Sequence, residues 1–341
     1  MPRDDDQMHP PAQRQKVRIN IARFWAGATV EEIVGLILPD LAPFYEFEAS
    51  SNPQVLLYGP YGGEMPRGQS VKVFIGCENV RPIMSECDWA FGVDHGGYVR
   101  HPRYMRFARW GDDSQLIQKQ KNWRQVLQSK TRFCVFLYAN EVCYRDAFFS
   151  ALSCYKPIDA PGRAMNNMPG IDPVPGQHDY NAKVSFLRDY KFIIAFENAS
   201  RPGYNTEKLT HAIEADCLPI YWGDPEIGRL FNVRRLINAH DFLPRPVEFM
   251  PRLPYAPHSI TSGLHPTFLQ RAARRFNGIA SEIEQRAWAM RGFVALIERI
   301  VQIDRDDDLY LQHLREPFLI GNKPPDRARW VARWREIFTS A

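Results

Sequence analysis

Apolar positions along the chain fall into short continuous runs that alternate with amphipathic stretches. In the first half, VRINIARFW, FYEFEA, PQVLLYGPYG and VKVFIGCEN predict strands, and EEIVGLILPDLA predicts a helix that ends at Pro39. A second set begins at Arg132 with the strand RFCVFLYAN, followed by a helix over 145–155. Continuous apolar strands that alternate with helices are typical of parallel α/β sheets.

The segment from Tyr190 to Asp241 shows this pattern most clearly. It predicts a buried strand over 192–196, a polar loop, a helix that begins near Asn205, and a second buried strand over 218–222. Such a unit is a right-handed crossover, and parallel sheets bind their ligands beyond the carboxyl ends of the strands. We therefore expect the polar residues between 197 and 208 to lie at a ligand site.

Two interpretations of the start of this helix are open. A helix N-terminus offers free N–H groups and partial positive charge, so Lys208 and the backbone after Tyr204 could hold a phosphate of a nucleotide. Alternatively, Asn205 caps the helix, and Glu207 and Lys208 are solvated residues of its first turn.

The rest of the chain predicts the domain organisation. A polar segment over 110–130, rich in Gln and Lys, separates an N-terminal domain (1–127) from a C-terminal domain (128–341). After Asp241 the chain is proline-rich over 243–266, and the pattern then predicts a helical stretch from 266 to about Ile303. Its last helix repeats Trp330, Trp334 and Phe338 at every fourth position. This apolar stripe predicts that the helix packs on the surface of a domain, which could be the N-terminal domain. The alternative is that the stripe makes peripheral contact with a membrane.

Composition narrows the class of protein. The 341 residues are 45% hydrophobic and 24% charged, as in a soluble globular protein. The net charge of +4 suits an anionic substrate, but the chain has no concentrated basic tract of the kind that binds nucleic acid. The six cysteines lack CxxC spacing and lie mostly in apolar runs, which indicates buried, reduced thiols. The acidic, proline-containing start predicts neither a signal peptide nor a membrane anchor, which favours the cytoplasm.

Three blocks in order, FENASRPGYNTEKL, LPIYWGD and INAHDF, resemble the donor-binding signature of the α1,3/1,4-fucosyltransferases of glycosyltransferase family 10 (GT10), which use GDP-fucose. Upstream, VKVFIGCENVRP, ECDWAFGVDH and RYMRFARW resemble the acceptor-side block of that family. The resemblance implies a GT-B architecture, in which two Rossmann-like domains face a central cleft. It also implies that the first domain binds the acceptor and the second the nucleotide. The chain resembles bacterial members, which suggests a cytoplasmic enzyme, at most peripheral to the inner membrane.

The resemblance assigns roles to particular residues. Glu78 takes the position of the general base, with Glu86 as the alternative because Cys77 stands where relatives commonly have glycine. The donor-binding candidates are Arg145, Asn198, Tyr204, Glu207, Lys208, Glu197 and Arg163. The weaker acceptor-binding candidates are His95 and Trp89. Asp216 replaces a glycine that relatives often have before a strand, and aspartate tolerates the left-handed backbone of such a turn.

The implied reaction makes two chemical demands. Conversion of the β-linkage of GDP-fucose to an α-fucoside inverts the anomeric carbon, so a single in-line displacement is enough. A base, Glu78, must take the acceptor proton, and cations, Arg145 and Lys208, must stabilise the departing GDP. Because these cations can replace a metal, and the acidic runs at 4–6 and 306–308 are interpreted as solvated charge, we expect no metal requirement. Added divalent cations could still stimulate turnover.

The acceptor is the open part of this hypothesis. The resemblance implies the 3-hydroxyl of an N-acetylglucosamine (GlcNAc) residue, in lactosamine, chitin-like oligomers or an N-glycan core, and leaves an α1,4 linkage open. Two other functions also stay open. One is a GT-B transferase for another nucleotide sugar such as GDP-mannose, and the other is a carbohydrate-binding protein without turnover.

Overall fold

The structure is a computed structural model that describes residues 13–62, 64–66, 68–76, 78–107, 113–171, 180–243, 260–261, 268–289 and 292–341. Its strands are β1 (Gln15–Ala22), β2 (Tyr45–Ala49), β3 (Val55–Tyr58), β4 (Val71–Ile75), β5 (Val80–Arg81), β6 (Trp89–Gly92), β7 (Tyr104–Arg106), β8 (Arg132–Val135), β9 (Ile158–Asp159), β10 (Tyr190–Phe196), β11 (Leu218–Trp222), β12 (Ile237–Asn238) and β13 (Ile260–Thr261). Its α-helices are α1 (Val30–Ile37), α2 (Gly96–Val99), α3 (Trp123–Gln128), α4 (Cys143–Ser153), α5 (Tyr180–Leu187), α6 (Glu207–Glu214), α7 (Phe268–Ala289), α8 (Val294–Arg305), α9 (Asp307–Arg315) and α10 (Ala328–Ser340).

The chain divides into two compact units. The first takes in the described parts of Met1–Gly111, Ile260–Pro266 and Asp326–Ala341, and the second those of Asp112–Ser259 and Thr267–Pro325. The division therefore comes earlier than the boundary expected after residue 127, and the end of the chain belongs to the first unit.

The first unit is built on a parallel sheet in the order β2-β1-β3-β4-β6-β7. The apolar runs of the sequence form these strands, and α1 begins where the Thr29 side chain accepts a hydrogen bond from the backbone N–H of Glu32 at 3.2 Å. Because all the strands are parallel, the loops that follow β1, β3, β4 and β6 lie at one edge of the sheet. That edge carries Arg23, Tyr61, Glu78 and His95.

Helix α10 packs in the core of the first unit. The side chains of Trp330, Trp334, Ile337 and Phe338 are buried in one cluster with the sheet, and Phe91 stacks on Trp334 with 4.8 Å between ring centroids. The side chains of the apolar stripe therefore pack against the core of the first unit. The alternative that this stripe contacts a membrane is wrong, because its side chains are inside the unit.

The second unit has a parallel sheet in the order β12-β11-β10-β8-β9. The predicted crossover is formed by β10, α6 and β11, and Phe192–Phe196 pairs in parallel with Leu218–Trp222. Asp216 adopts a left-handed backbone with φ of 54°, in the turn where the sequence predicted it. Its carboxylate lies 2.6 Å from Nζ of Lys121, which secures the turn.

Three features depart from, or lie outside, the expectations. The long helical stretch after 266 is two helices, α7 and α8, and Gly292 between them has φ of +81°. Cys87, Cys134 and Cys217 are buried free thiols as expected, but Cys154 is exposed. Cys77 and the proline-rich segment 244–259 lie outside the described residues. No helix in the described ranges is long and apolar enough to cross a bilayer.

Candidate active site

A buried carboxylate lies at the carboxyl end of β10. Glu197 directly follows that strand and is fully buried. Its Oε1 accepts the backbone N–H of Thr206 at 2.7 Å, and its Oε2 lies 2.8 Å from the Thr206 hydroxyl. Thr206 immediately precedes α6, so Glu197 satisfies a free N–H group at the start of this helix.

These contacts correct one expectation. The residue that caps α6 is Thr206, not Asn205, and its own side chain makes no capping bond to the helix. The capping oxygen comes instead from Glu197. Glu197 is fully buried by these groups, and its contact with the donor stays a prediction. Burial raises the pKa of Glu197, and the neighbouring Lys208 offsets this only in part.

Lys208 is the accessible cation of this site. Its side chain is 19% exposed, and its Nζ lies 3.5 Å from Glu197 Oε2, 3.5 Å from Glu207 Oε1 and 3.0 Å from the Thr206 hydroxyl. Burial alone would lower the pKa of Lys208, but the carboxylates of Glu197 and Glu207 outweigh burial and raise it above the ordinary value. The ammonium group is therefore charged throughout the physiological range.

Glu207 occupies the first position of α6 and points outward, with 54% of its side chain exposed. Desolvation works against its charge, but the cations Lys208 and Lys183 outweigh it and lower the pKa of Glu207. An ionised, exposed carboxylate beside an ammonium group can accept hydrogen bonds from ligand hydroxyls.

Arg145 is a buried cation with neutral partners. It lies on α4 and is 1% exposed. Its Nη1 donates to Oδ1 of the exposed residue Asn198 at 2.9 Å, and its Nη2 donates to the backbone carbonyl of Asn140 at 2.8 Å. Its Nε has no hydrogen-bond partner, and within the described part of the chain its guanidinium forms no ion pair. A buried charge without a counter-ion is costly, and an anionic ligand at Asn198 would compensate it.

The two remaining donor candidates are Tyr204 and Arg163. Tyr204 is buried, and its predicted role as a phenolic hydrogen-bond donor to the leaving group stays a prediction. Arg163 is exposed in the loop after Gly162. That loop abuts Tyr138, because the N–H of Ala164 donates to the Tyr138 carbonyl at 3.0 Å. A Cβ atom at Gly162 would lie 2.2 Å from the same carbonyl oxygen.

Sequence reasoning assigned no specific role to three residues of this site, Thr206, Tyr138 and Gly223. Thr206 links Glu197 to Lys208, and the ring of Tyr138 lies 4.1 Å from the guanidinium carbon of Arg145. Gly223 leaves room for Glu197, since a Cβ atom there would lie 2.5 Å from Glu197 Cγ. The glycine after the apolar strand 218–222 was the visible signal for this close approach. Tyr138 carries no comparable signal in the sequence.

In the first unit, Glu78 lies at the carboxyl edge of the sheet, just after β4. The side chain is half-buried, and the Tyr61 hydroxyl donates to its Oε1 at 2.9 Å. Tyr61 is anchored in turn by Arg23, whose Nε donates to the Tyr61 carbonyl at 2.7 Å. The alternative base, Glu86, lies in a turn closed by its own N–H and the carbonyl of Ile83.

The two acceptor candidates differ in their surroundings. His95 is half-buried and follows β6, at the same edge as Glu78. Trp89 lies within β6, packs against the core, and has the guanidinium of Arg333 at 4.8 Å from its ring centroid. That face of Trp89 is therefore occupied by protein. An ion pair at this edge, between Arg81 and the buried carboxylate of Asp94 at 2.9 Å, was not predicted.

Two parallel α/β units, each with polar side chains at the carboxyl ends of its strands, define the class of the molecule as a GT-B-type α/β protein. A solved α1,3-fucosyltransferase structure with GDP is similar over 96% of this chain and 92% of that chain, with a TM-score of 0.67 and 20% identity. Another, with GDP-fucose, has a TM-score of 0.65 and 19% identity, with the same coverage. These likenesses confirm the predicted fold class.

Two family models identify the family. One, described as glycosyltransferase family 10 (fucosyltransferase) C-term, matches residues 127–255, and one described as alpha-(1,3)-fucosyltransferase FucT N-terminal domain matches residues 19–111. The chain belongs to glycosyltransferase family 10, which confirms the resemblance. The donor candidates of the second unit all lie within the first match.

Two relatives show the extent of the similarity. Alpha-(1,3)-fucosyltransferase FucT of Helicobacter pylori is 25% identical over 269 residues, which are 66% of this chain and 54% of that protein. GDP-fucose protein O-fucosyltransferase 3 of Homo sapiens is 32% identical over 140 residues, which are 38% of this chain and 29% of that protein. The chain thus spans about half or less of the length of these relatives.

Proposed function

We propose that the protein is an inverting α1,3-fucosyltransferase that moves L-fucose from GDP-β-L-fucose to the 3-hydroxyl of a GlcNAc residue. The observation that carries the proposal is the cationic site of Arg145 and Lys208 beside the N-terminus of α6. It lies within the residues matched by the GT10 family model. The names of the relatives and of the similar structures, which refer to fucosyl transfer and to GDP-fucose, support the choice of donor.

The second unit supplies what a nucleoside diphosphate needs. The Lys208 ammonium and the free N–H groups at the start of α6 attract phosphate oxygens. Arg145 contributes a positive charge that no carboxylate in the described residues neutralises. Its Nη1 donates to Oδ1 of the exposed residue Asn198, so the guanidinium lies next to the surface. The exposed carboxylate of Glu207 accepts hydrogen bonds from ribose hydroxyls. These groups also stabilise the charge that develops on GDP as it departs.

The first unit supplies the base. The acceptor oxygen attacks the anomeric carbon of fucose, the bond from that carbon to GDP breaks, and GDP leaves with the electron pair. The acceptor proton passes to the carboxylate of Glu78. The hydrogen bond from Tyr61 fixes the orientation of this carboxylate. The choice of GlcNAc rests on the family resemblance and not on a residue of the described site, so an α1,4 linkage is tested together with α1,3.

Metal independence remains a prediction. Within the described residues, no group of three or more His, Cys, Asp or Glu side chains is arranged to hold a metal ion. Of the acidic run 306–308, Asp306 caps α9 by accepting the N–H of Leu309 at 3.0 Å. Transfer assays with chelator and with added divalent cations measure the dependence directly.

The donor assignment is tested by calorimetry with GDP. We expect Lys208→Ala to weaken GDP binding about 10- to 100-fold, because a charge-assisted phosphate contact is lost. The matched control is Lys119→Ala, which removes an exposed lysine of the same unit. A wild-type protein that prefers UDP, or a Lys208→Ala variant with unchanged GDP affinity, would contradict the assignment.

The base assignment is tested by transfer to a glycan array with GDP-fucose as donor. We expect Glu78→Gln to keep its GDP affinity and to lose transfer by about 10²- to 10⁴-fold. Glu86→Gln, the control, should retain transfer. Transfer of mannose from GDP-mannose would favour the alternative transferase, and glycan binding without any transfer would favour a binding protein.

A further inference from the structure

Tyr138 contacts Arg145 and the end of β10 at the same time. The guanidinium carbon of Arg145 lies 4.1 Å from the centroid of the Tyr138 ring, a close cation–π distance. The Tyr138 hydroxyl accepts the backbone N–H of Phe196 at 2.7 Å and donates to the carbonyl of Ile194 at 2.6 Å. The ring is buried, so water does not weaken its attraction for the cation.

The partners of Arg145 restrict its guanidinium in complementary ways. The carbonyl of Asn140 and the amide oxygen of Asn198 hold it through in-plane hydrogen bonds, and the ring of Tyr138 covers one face. All three partners are neutral, so they orient the guanidinium without cancelling its charge. A cation that is already oriented loses little conformational entropy when an anion binds.

We propose that Tyr138 is a positioning residue for the donor site, whose ring holds the Arg145 guanidinium in the orientation that receives the diphosphate of GDP. The inference rests on the proposed function, because Arg145 is assigned there to the donor. The hydroxyl of Tyr138 has a separate role, since it joins the segment after β8 to the end of β10 and thereby adds stability. The ring and the hydroxyl can therefore be tested apart.

The test measures GDP affinity by calorimetry and folding by thermal unfolding. Tyr138→Met keeps the bulk of the side chain but has no aromatic face, and we expect GDP binding about three- to tenfold weaker. Tyr138→Phe keeps the ring, and its GDP affinity should lie within about twofold of the wild type although its Tm falls. If Tyr138→Phe weakens GDP binding as much as Tyr138→Met does, the aromatic ring is not what orients the Arg145 guanidinium.

A matched tyrosine serves as the structural control. Tyr310 is also buried, and its hydroxyl donates to the carbonyl of Lys191, at the opposite end of β10. Tyr310→Met should lower the Tm and leave the GDP affinity of the folded protein unchanged. Equal losses of affinity in Tyr138→Met and Tyr310→Met would reduce the role of Tyr138 to general packing.

A double-mutant cycle separates positioning from packing. In an Arg145→Met background, the further change Tyr138→Met should have no additional effect on GDP affinity, because there is no guanidinium left to orient. Additive losses would overturn the inference and leave the donor assignment intact. Failure of the wild-type protein to bind GDP would instead overturn the proposed function.

A shape-preserving variant covers the case in which Tyr138→Met does not fold. Replacement of Tyr138 by pentafluorophenylalanine keeps the ring and reverses its quadrupole, so the cation is repelled rather than attracted. We expect its GDP affinity to be about threefold or more below that of Tyr138→Phe. Equal affinities of these two variants would also refute the role of the ring.

Discussion

Oε2 of Glu197 lies 3.5 Å from Nζ of Lys208, and the hydroxyl of Thr206 lies within hydrogen-bonding distance of both. The side chain of Glu197 thus holds both the start of α6 and Lys208, the accessible cation of the proposed donor site. We therefore expect Glu197 to affect GDP binding through the position and the charge of Lys208.

The first prediction concerns Glu197→Gln and alkaline pH. Burial lowers the pKa of Lys208, and the carboxylates of Glu197 and Glu207 reverse this effect. Because the net shift is upward, the charge of Lys208 in the wild type is lost only above the ordinary lysine pKa. When the Glu197 carboxylate is removed, less negative charge opposes the effect of burial, and the pKa of Lys208 falls. We expect the GDP affinity of the variant to decline at a lower pH than that of the wild type.

The measurement is GDP affinity from about pH 7 to about pH 10. The ratio of the two dissociation constants cancels the titration of the guanine base itself. Glu214→Gln, at the other end of α6, is the control and should follow the wild type. Parallel curves for Glu197→Gln and the wild type would show that the carboxylate does not set the charge of Lys208.

Much of the fold could be predicted because it depends on local periodicity. The strands that flank α6 are continuous apolar runs, and a parallel crossover is the arrangement that buries both. The stripe of α10 was equally visible. An apolar stripe indicates that one face of a helix is buried, but it does not identify the packing partner. Only the structure shows that Trp334 lies in the core of the first unit.

The site could be predicted only in part. The family resemblance indicated Arg145, Asn198 and Lys208, and the structure brings Arg145 to Asn198 and Lys208 to the start of α6. It could not show that Glu197 faces inward, because a carboxylate after a strand can serve a ligand or a helix equally well. The stacking of Tyr138 on Arg145 depends on packing between segments that are not neighbours in sequence, and no local pattern encodes it.

The second prediction concerns Gly223→Ala. A Cβ atom at Gly223 would lie 2.5 Å from Cγ of Glu197 and 2.7 Å from the hydroxyl of Tyr221. These side chains would have to move, at a cost of about 1–3 kcal/mol in the free energy of unfolding. Displacement of Glu197 also misplaces Lys208, so we expect weaker GDP binding in the variant that does fold.

Gly278→Ala is the control for this change. Gly278 lies within α7, and a Cβ atom there meets nothing within 4 Å. Alanine favours helix over glycine by about 0.5–1 kcal/mol, so this variant should be as stable as the wild type or more so. Chemical denaturation measures both variants, and a neutral Gly223→Ala would show that the site is looser than the distances indicate.

The third prediction concerns Trp334→Ala in α10. Trp334 is fully buried and stacks on Phe91, so its truncation should cost about 3–5 kcal/mol in the free energy of unfolding. Glu336→Ala, two residues further and 57% exposed, should change it by less than about 0.5 kcal/mol. Similar unfolding midpoints for the two variants would mean that α10 does not belong to the core of the first unit.

The fourth prediction concerns Asp304, which lies on α8 with 2% of its side chain exposed. Its carboxylate accepts from Nζ of Lys156 at 2.5 Å, from Nζ of Lys191 at 3.0 Å and from the Tyr155 hydroxyl at 2.9 Å. Asp304→Asn leaves Lys191 without its buried partner. With Lys156 half in solvent, we expect a loss of about 2–4 kcal/mol in the free energy of unfolding at neutral pH.

The stabilisation by Asp304 depends on pH. Burial would raise the pKa of Asp304, but the hydrogen bonds from Lys156 and Lys191 outweigh it and lower the pKa below the ordinary aspartate value. Its stabilisation is therefore complete above the pKa of the unfolded chain and is lost as the pH falls through the lower pKa of the folded protein. The difference between wild type and Asp304→Asn should shrink in acid. Asp308→Asn is the control, because the ion pair of Asp308 with Arg124 is exposed, and its free energy of unfolding should match that of the wild type at every pH. If the difference in the free energy of unfolding between Asp304→Asn and the wild type stays constant down to acid pH, the effect is not ionic.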